Sequence, residues 1–370
     1  MKLPKIAIYD KYIFNQVMMA TCVAILLFII VWIAPEMLLN TIKKTLSGEY
    51  GIKTAILVLT CELPKILGKA FPAGLLLGTL FTFDKLSKDS ELTIFRAVGL
   101  SFKRIVAPVI ALSLICTYLC FLTSDKLIPL SADKMEKIKG YTQSTQFIYT
   151  QKDKDGHPNQ TIVVSKSRGK KLYNIIVLDF SKEVYTDVHQ LSNIYYAKNG
   201  QIQDDKWILS EITKYKITKD GIFENIDNLQ SMTVLNDVTA PRANTLMAYS
   251  TKKEREINNK NLKKYVKLLK EENMDEEYRL MLNKYFQRYF HPFVCILLAV
   301  MGCLLGFSKP REQRVIGFAI AIGCIVVYYI TLPFFDLLAE KGVLPPLITS
   351  TFPLMAFLVA IVMFYRSKEL

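Results

Sequence analysis

The chain is poor in the residues on which many active sites depend. It holds 3 histidines and 2 tryptophans among 370 residues, and none of its 7 cysteines falls between residues 124 and 294. It has no C-x-x-C pair, no G-x-S-x-G motif and no G-x-x-x-x-G-K-[ST] motif. These absences exclude a disulfide framework in the central stretch, a hydrolase nucleophile elbow and a P-loop. If the protein uses ATP, another chain must supply the ATPase.

What the chain has instead is long apolar runs, with hydrophobic residues making up 51% of it. A helix needs about 20 mostly apolar residues to cross ~30 Å of hydrocarbon. Six segments qualify, at residues 13–34, 64–83, 105–123, 293–307, 315–335 and 347–365. The fourth is short, and the amphipathic stretch 281–292 can lengthen it. The pattern predicts an integral membrane protein with one large polar insert after the third span.

Lysine and arginine in the short loops predict the orientation, because they accumulate on the cytoplasmic side. The loop between spans two and three holds five of them and the loop between spans four and five holds three. The two short loops on the other side hold four in total. Both termini are therefore predicted to be cytoplasmic and the insert external. Much of the net charge of +14 flanks these spans, which argues against nucleic acid binding.

Within the insert, apolar residues recur with period two between residues 141 and 238, which is typical of strands. Strands are predicted at residues 161–165, 172–180, 193–197, 207–209, 215–218 and 231–235. Turns are predicted at Asp155-Gly156, Asn199-Gly200 and Asp220-Gly221. Short antiparallel strands predict a sandwich, jelly roll or open barrel. The insert has no catalytic set, so its apolar interior either encloses a ligand such as an acyl chain or is a filled structural core.

The predicted fold class is a membrane bundle of six helices with an all-β, jelly-roll-like domain between helices three and four. Residues 1–123 form the first three spans and include a cytoplasmic loop at 84–104. The β-domain covers residues 124–255. Two connecting helices at the outer membrane surface cover 256–289, and residues 290–370 form the last three spans.

Charged residues occur where membrane is expected. Glu62, Lys65 and Lys69 share one helical face at the start of the second span. Pro64 predicts a break there, after an interfacial helix at 52–63. Ionisable residues at membrane depth usually face a cavity, so these predict a basic patch for an anionic ligand. Lysines that snorkel to the interface are an equal alternative.

Lys43 and Lys44, just after the first span, could extend this patch, and a solvated loop is their alternative. An enzyme is the weakest interpretation, because Glu62, Asp84 and Asp336 show no paired arrangement for acid–base catalysis. No metal-ligand spacing appears either. We expect Asp336 at the outer end of span five.

In the loop 84–104, Ser87 or Asp89 is predicted to cap a short helix that contains Ser90 and ends near Gly99. The apolar side of this helix is predicted to consist of Leu92, Phe95 and Ala97. Such a helix either docks a soluble partner or lies on lipid headgroups. Composition alone favours the second alternative.

Four stretches, in this order, resemble one known family. They are E-L-P-K at 62–65 with F-P at 71–72 and L-L-L-G at 75–78; S-E-L at 90–92 with R-A-V-G at 96–99 and Arg104; R-Y-F-H-P at 288–292; and G-V-L-P-P at 342–346. Each is weak alone, and together they are specific. The chain resembles the LptF/LptG permease family, the membrane subunits of the lipopolysaccharide-export ABC transporter, over nearly its whole length.

The resemblance implies a subunit that extracts lipopolysaccharide or a related anionic glycolipid from the outer leaflet of the bacterial inner membrane. The lipid would pass to a periplasmic β-bridge protein of the LptC/LptA type. It implies a second permease subunit, homologous or identical, and a cytoplasmic ABC ATPase dimer that binds ATP and Mg. No cofactor is expected in this chain. The alternative is a non-transporting sensor or scaffold that relays a signal from its periplasmic β-domain.

The resemblance also implies roles for individual residues. Glu91 would sit in the ATPase groove, in a coupling helix shaped by Ser90, Leu92, Arg96 and Gly99. The substrate-binding lysines are predicted to be Lys43, Lys44, Lys65, Lys69, Lys134 and Lys137. Of these, Lys65 matches the family through its Pro-Lys context. Lys69 is included because it shares a helical face with Glu62 and Lys65. No catalytic or metal-binding residue is predicted.

Overall fold

The protein divides into two compact units. In the computed structural model, the described residues are 8–33, 37–139, 147–152, 157–168, 170–182, 189–203, 206–217, 223–235, 240–250, 252–307 and 314–367. One unit comprises Met1–Met135 with Glu276–Leu370, and the other comprises Glu136–Asp275. We name them the membrane unit and the β unit.

Twelve α-helices occur among the described residues. They are α1 (Ile8–Ile33), α2 (Leu39–Leu46), α3 (Ile52–Lys88), α4 (Glu91–Ala97), α5 (Phe102–Leu122), α6 (Ile128–Lys139), α7 (Ala240–Ser250), α8 (Asn259–Glu271), α9 (Asp275–Phe290), α10 (Val294–Gly306), α11 (Arg314–Glu340) and α12 (Pro346–Ser367). A π-helical turn joins α5 to α6, and a 3-10 turn joins α9 to α10. Within the described ranges, six helical stretches are long and apolar enough to cross a membrane, and each overlaps one predicted span.

The second span differs from its prediction. Instead of an interfacial helix that breaks at Pro64, α3 is one continuous helix of 37 residues with Pro64 and Pro72 inside it. A proline removes one backbone hydrogen bond and bends a helix without having to end it. In a membrane bundle, neighbouring helices support the backbone around such a proline. Much of α3 is indeed buried, including Ile66 and Pro72.

Glycines let α3 lie directly against two neighbouring helices. A Cβ atom on Gly78 would come within 2.6 Å of the Thr21 Cα in α1. A Cβ atom on Gly302 of α10 would come within 2.5 Å of the Leu76 carbonyl oxygen in α3. Such contacts between small residues are typical of helix pairs in membranes. They make α3 the centre of the membrane unit, whereas α1, α11 and α12 are mostly exposed.

The β unit contains one six-stranded antiparallel sheet. The strands are β1 (Phe147–Lys152), β2 (Pro158–Arg168), β3 (Lys171–Lys182), β4 (His189–Gln203), β5 (Lys206–Ile217) and β6 (Phe223–Thr233). Each described strand pairs with the next one in sequence, so their order is β1-β2-β3-β4-β5-β6. The predicted combination of a helical membrane bundle and a β domain is therefore confirmed, although the β unit also contains the helices α7 and α8 and is not all-β. The connections are simpler than the Greek keys of a jelly roll.

One predicted turn lies inside a strand. Asn199-Gly200 falls within β4, where Gly200 is the registered partner of both Leu172 and Leu209. A Cβ atom on Gly200 would lie 2.9 Å from the Leu209 side chain. The glycine thus accommodates a close side-chain contact and does not form a turn. The other two predicted turns, Asp155-Gly156 and Asp220-Gly221, lie outside the described residues.

The predicted strands at 207–209 and 215–218 are in fact parts of the single strand β5. Trp207 and Leu209 are buried two positions apart, as expected for one face of a strand. The next buried residue of β5 is Ile212, three positions further on, so the alternation shifts by one residue. The residue between them, Glu211, has a positive φ of 56°. This local change of backbone direction shifts the alternation, so the sequence pattern resembles two strands. Strand β1 was not predicted, although it contributes the buried residues Phe147 and Tyr149.

Helices of the β unit are bound to the sheet by polar contacts. The Trp207 indole donates a hydrogen bond to Asn244 in α7 (2.5 Å). The Tyr149 hydroxyl donates to Glu272, just after α8 (3.2 Å), and Arg242 pairs with the same carboxylate (3.4 Å). Burial raises the pKa of Tyr149 well above its usual range, and the nearby Glu272 carboxylate adds to this effect. Tyr149 therefore stays neutral as a hydrogen-bond donor.

Candidate functional site

The short helix α4 is fixed by well-defined turns at both ends. Ser90, with φ of 60°, lies between α3 and α4 and reverses the chain. At the other end Gly99 has φ of 88°, its N–H reaches the Arg96 carbonyl (2.9 Å), and the Leu100 N–H reaches the Phe95 carbonyl (3.1 Å). This pair of bonds is a Schellman motif, which favours glycine at the left-handed position. The predicted end of the helix at Gly99 is confirmed.

The predicted cap of α4 is wrong. Ser87 lies in the last turn of α3 and donates a hydrogen bond to the Gly306 carbonyl (3.1 Å), while Asp89 follows the end of α3. Ser90 precedes α4 and forms no side-chain cap. Ser87 and Asp89 therefore belong to the end of α3 and to the turn between α3 and α4, and not to the N-cap of α4.

One side of α4 packs on the membrane unit. Leu92 is buried and Phe95 packs against the same apolar core, as predicted. Ala97 is exposed, contrary to prediction, because five residues from Leu92 correspond to about 500° of helical rotation. Ile94 and Val98 are 59% and 78% exposed. The exposed side of α4 is therefore partly apolar.

The N-terminal part of α1 contacts the α4 region. The Tyr12 hydroxyl donates a hydrogen bond to the Glu91 carboxylate (3.0 Å). Arg104, near the start of α5, forms an ion pair with Asp10 (2.7 Å) and lies over the Tyr9 ring (5.1 Å). These contacts were not anticipated from the sequence, because they join residues about 80 to 95 positions apart. We name this end of the membrane unit the loop end, and the opposite end, where α2 follows α1, the far end.

The predicted substrate-binding lysines lie on three helices. Lys43 and Lys44 are exposed in the last turn of α2, at the far end. The Lys44 ammonium is 3.7 Å from the Glu49 carboxylate and 5.2 Å from the centre of the Tyr50 ring. Lys134 and Lys137 are exposed on α6.

Lys65 and Lys69 lie on α3. The Lys65 ammonium is 3.5 Å from the Glu62 carboxylate, and the two side chains are only 26% and 17% exposed. Lys69 lies one turn further along, and its carbonyl accepts a hydrogen bond from Tyr329 of α11 (2.7 Å). The 20 residues from Lys65 to Lys85 span about 30 Å, which equals the hydrocarbon thickness of a bilayer.

A polar cluster at the far end was not predicted. Asp336 of α11 accepts hydrogen bonds from Asn283 (2.9 Å) and Gln287 (2.8 Å) of α9 and forms an ion pair with Lys284. Thr349 of α12 donates to the Asn283 side-chain oxygen (2.8 Å). The cluster joins α9, α11 and α12. Its position at the outer end of span five was predicted, but its partners were not, since no local pattern relates them.

Removing the Asp336 carboxylate should destabilise the membrane unit. Lys284 and Asp336 are only 17% and 15% exposed, so Asp336→Ala leaves an ammonium largely buried without its counter-ion. We expect a loss of about 3 kcal/mol, measured as a lower unfolding temperature in detergent. The control is Glu276→Ala, which breaks the exposed pair with Lys341 (3.4 Å) and should cost less than about 0.5 kcal/mol. Equal unfolding temperatures for both variants would contradict the prediction.

A groove of about 420 Å³ lies between α1 and α3 towards the loop end. Its walls are mainly apolar, with Gln16, Thr82 and Lys85 as its polar members. Within the ranges that the structure describes, no group of three or more His, Cys, Asp or Glu side chains could hold a metal ion.

Comparisons with known proteins gave two findings. A family model described as "Lipopolysaccharide export system permease LptF/LptG" matches residues 11–367. The lipopolysaccharide export system permease protein LptG of Haemophilus influenzae (strain ATCC 51907 / DSM 11121 / KW20 / Rd) is 26% identical over 182 residues. That alignment covers 48% of this chain and 49% of the relative, so it spans about half of each.

Proposed function

This chain belongs to the lipopolysaccharide export system permease LptF/LptG family, and from that we propose that it is a membrane subunit of an ABC exporter for lipopolysaccharide or a related anionic glycolipid. The family match over residues 11–367 carries the proposal, and the six membrane-spanning helices support it. In this proposal the protein lies in the bacterial inner membrane. Both termini are cytoplasmic and the β unit is periplasmic.

We assign α4 as the docking element for a separate ATPase dimer, which in this proposal supplies the ATP and Mg sites. The exposed side chains of Ile94 and Val98 give α4 an apolar surface of the kind that a protein groove can cover. Glu91, at the first position of α4, adds a negative charge beside it. Ser90 and Gly99 shape the helix through their left-handed conformations. Leu92 and Arg96 hold it against the membrane unit, with Arg96 lying over the Phe307 ring (5.6 Å).

We assign the far end as the lipid headgroup site. Lys43 and Lys44 lie in the last turn of α2 and Lys65 and Lys69 in α3, and ammonium groups of this kind bind the anionic phosphates of a glycolipid. Lys65 is the strongest candidate because it is only 26% exposed, so its charge is less screened than that of a surface lysine. Lys43, Lys44 and Lys69 are assigned to the same site, and Lys134 and Lys137 to its periphery.

Two further partners complete the proposal. A second permease subunit, homologous or identical, would cover the apolar faces of α1 and α11, which are mostly exposed in the single chain. A periplasmic β-bridge protein would receive the lipid from the β unit. Strand β6 is suited to contact with another sheet, since it is an outer strand of the described sheet and residues 226–231 are exposed.

Purification from native membranes in mild detergent, followed by mass spectrometry, tests the proposed function. We expect a stoichiometric ABC ATPase together with a phosphorylated glycolipid, and the same sample would show whether a second permease is present. Recovery of the chain without an ATPase, or with a signalling protein, would overturn the exporter and favour a sensor or scaffold.

The Glu62 carboxylate should weaken lipid binding at Lys65. It lies 3.5 Å from the Lys65 ammonium and competes with a phosphate for it. Glu62→Gln is therefore expected to tighten glycolipid binding by roughly fivefold, equivalent to about 1 kcal/mol. Binding to the purified protein would be measured by titration in detergent. Glu271→Gln, which removes the partner of the exposed Lys267 in the β unit, should leave binding unchanged. Weaker binding by Glu62→Gln would contradict this role.

A further inference from the structure

The contacts between α1 and the α4 region form a continuous set around the proposed docking element. Tyr12 binds Glu91 at the beginning of α4. The Tyr9 ring lies 6.2 Å from the Phe95 ring in the middle of α4. Asp10 binds Arg104, which follows α4 at the start of α5. One turn of α1 therefore contacts α4 at its start, at its middle and just beyond its end.

These contacts differ in strength. The Asp10 side chain is 13% exposed and its distance to Arg104 is 2.7 Å, so this charged hydrogen bond is short and poorly screened. The hydrogen bond from Tyr12 to Glu91 is exposed. The ion pair thus fixes the position of α1, and the Tyr12 hydroxyl links α1 to the carboxylate proposed to meet the ATPase.

The middle of α1 crosses α3 at a G-x-x-x-G sequence formed by Gly74 and Gly78. A Cβ atom on Gly74 would lie 3.2 Å from the Ile25 backbone nitrogen, and one on Gly78 would lie 2.6 Å from the Thr21 Cα. The two backbones are therefore in direct contact at this crossing. Beyond the crossing Leu26, Leu27, Ile30 and Val31 are exposed, whereas before it Ile13 and Val17 are buried in the apolar core.

This geometry makes the crossing a pivot. Tyr12 is nine residues from Thr21, or about 14 Å, and Ile33 is twelve residues beyond it, or about 18 Å. If α1 rotates as a rigid helix about the crossing, a shift of the α4 region moves the far end of α1 in the opposite direction and by a comparable distance. The far end of α1 leads into α2, which carries Lys43 and Lys44.

We propose that Asp10 and Tyr12 are positioning residues that bind α1 to α4, so that movement of α4 rotates α1 about its crossing with α3. This inference rests on the proposed function, because it takes α4 as the ATPase docking element and α2 as part of the lipid site. It adds the physical connection between the two. Neither residue contacts lipid or nucleotide in this role.

The test uses the full-length chain purified with its ATPase and reconstituted in lipid vesicles. Spin labels on Val31→Cys in α1 and Val343→Cys after α11, both exposed positions, report movement of the far end of α1. Cys22, which is exposed, is replaced by serine in every sample. The variant Asp10→Asn with Tyr12→Phe removes the charge and the hydroxyl while keeping the side-chain shapes. Tyr118→Phe with Glu276→Gln makes the same chemical changes at exposed positions and serves as control.

We expect ATP to change the label distance in the wild type and in the control. In the double variant the change should be lost, while the amount of co-purified ATPase stays the same. An undiminished change in the double variant would overturn the inference. Reduced ATPase recovery with that variant would also overturn it, because the two residues would then belong to the docking site. Failure of the wild-type chain to bind an ATPase would instead overturn the proposed function.

Discussion

Glu91→Lys is expected to lower the ATPase recovered with the chain at least tenfold, equivalent to about 1.4 kcal/mol or more. The substitution reverses the charge at the first position of α4, on its proposed docking side. It also places a cation at the N-terminus of a helix, where the backbone dipole disfavours it. Recovery would be measured by affinity purification of the tagged chain and quantification of the ATPase.

Two controls separate docking from folding. Glu271→Lys makes the same reversal on an exposed carboxylate in the β unit and should not alter ATPase recovery. Glu91→Gln removes the negative charge without introducing a positive one and should reduce recovery less than Glu91→Lys. An ATPase complex that forms normally with Glu91→Lys would show that α4 docks without this carboxylate.

Lys65→Glu is expected to reduce lipid stimulation of ATP hydrolysis about tenfold while leaving ATPase recovery unchanged. The introduced carboxylate would lie one helical turn from Glu62 in a partly buried region, so two like charges would face an anionic headgroup. The measurement is the ATPase rate of reconstituted complexes with and without purified glycolipid.

Further variants at Lys65 and elsewhere make this result interpretable. Lys65→Gln, which removes the charge without reversing it, should give an intermediate effect if attraction to phosphate is the cause. Lys267→Glu, on the exposed surface of the β unit, should behave as wild type. Full lipid stimulation of the Lys65→Glu complex would remove Lys65 from the headgroup site.

The positions of the membrane spans were largely predictable, because hydropathy acts through local composition. All six predicted spans overlap helices of the membrane unit. Their lengths were less predictable. Helix α3 extends through Pro64, since contacts with neighbouring helices support the backbone there, and such contacts leave no local signal.

The β unit was predictable in class and less so in detail. Period-two patterns located most of the strands, but Asn199-Gly200 resembled a turn. A glycine serves equally well in a turn and beneath a large side chain, and only the position of Leu209 on the neighbouring strand distinguishes the two. Similarly, Glu211 shifts the alternation within β5 through its own backbone conformation, which its residue type does not predict.

The candidate site was predictable only where a short segment defines it. The Gly99 end of α4 and the packing of Leu92 follow from local spacing. The contacts of Glu91 with Tyr12 and of Asp336 with Lys284 join distant segments, and each residue alone resembles a solvated charge. The lipid-binding role of the lysines remains a prediction.

The Asp336 cluster also has a consequence for how the polypeptide enters the membrane during synthesis. A charged aspartate in a membrane-spanning helix raises the insertion free energy unless it has a partner. Lys284 is synthesised 52 residues before Asp336, so α11 can insert beside a cation that is already present. Thr349 follows later and supplies the last hydrogen bond to Asn283. A nascent chain that ends before α12 therefore already contains the ion pair, and the final helix completes the cluster.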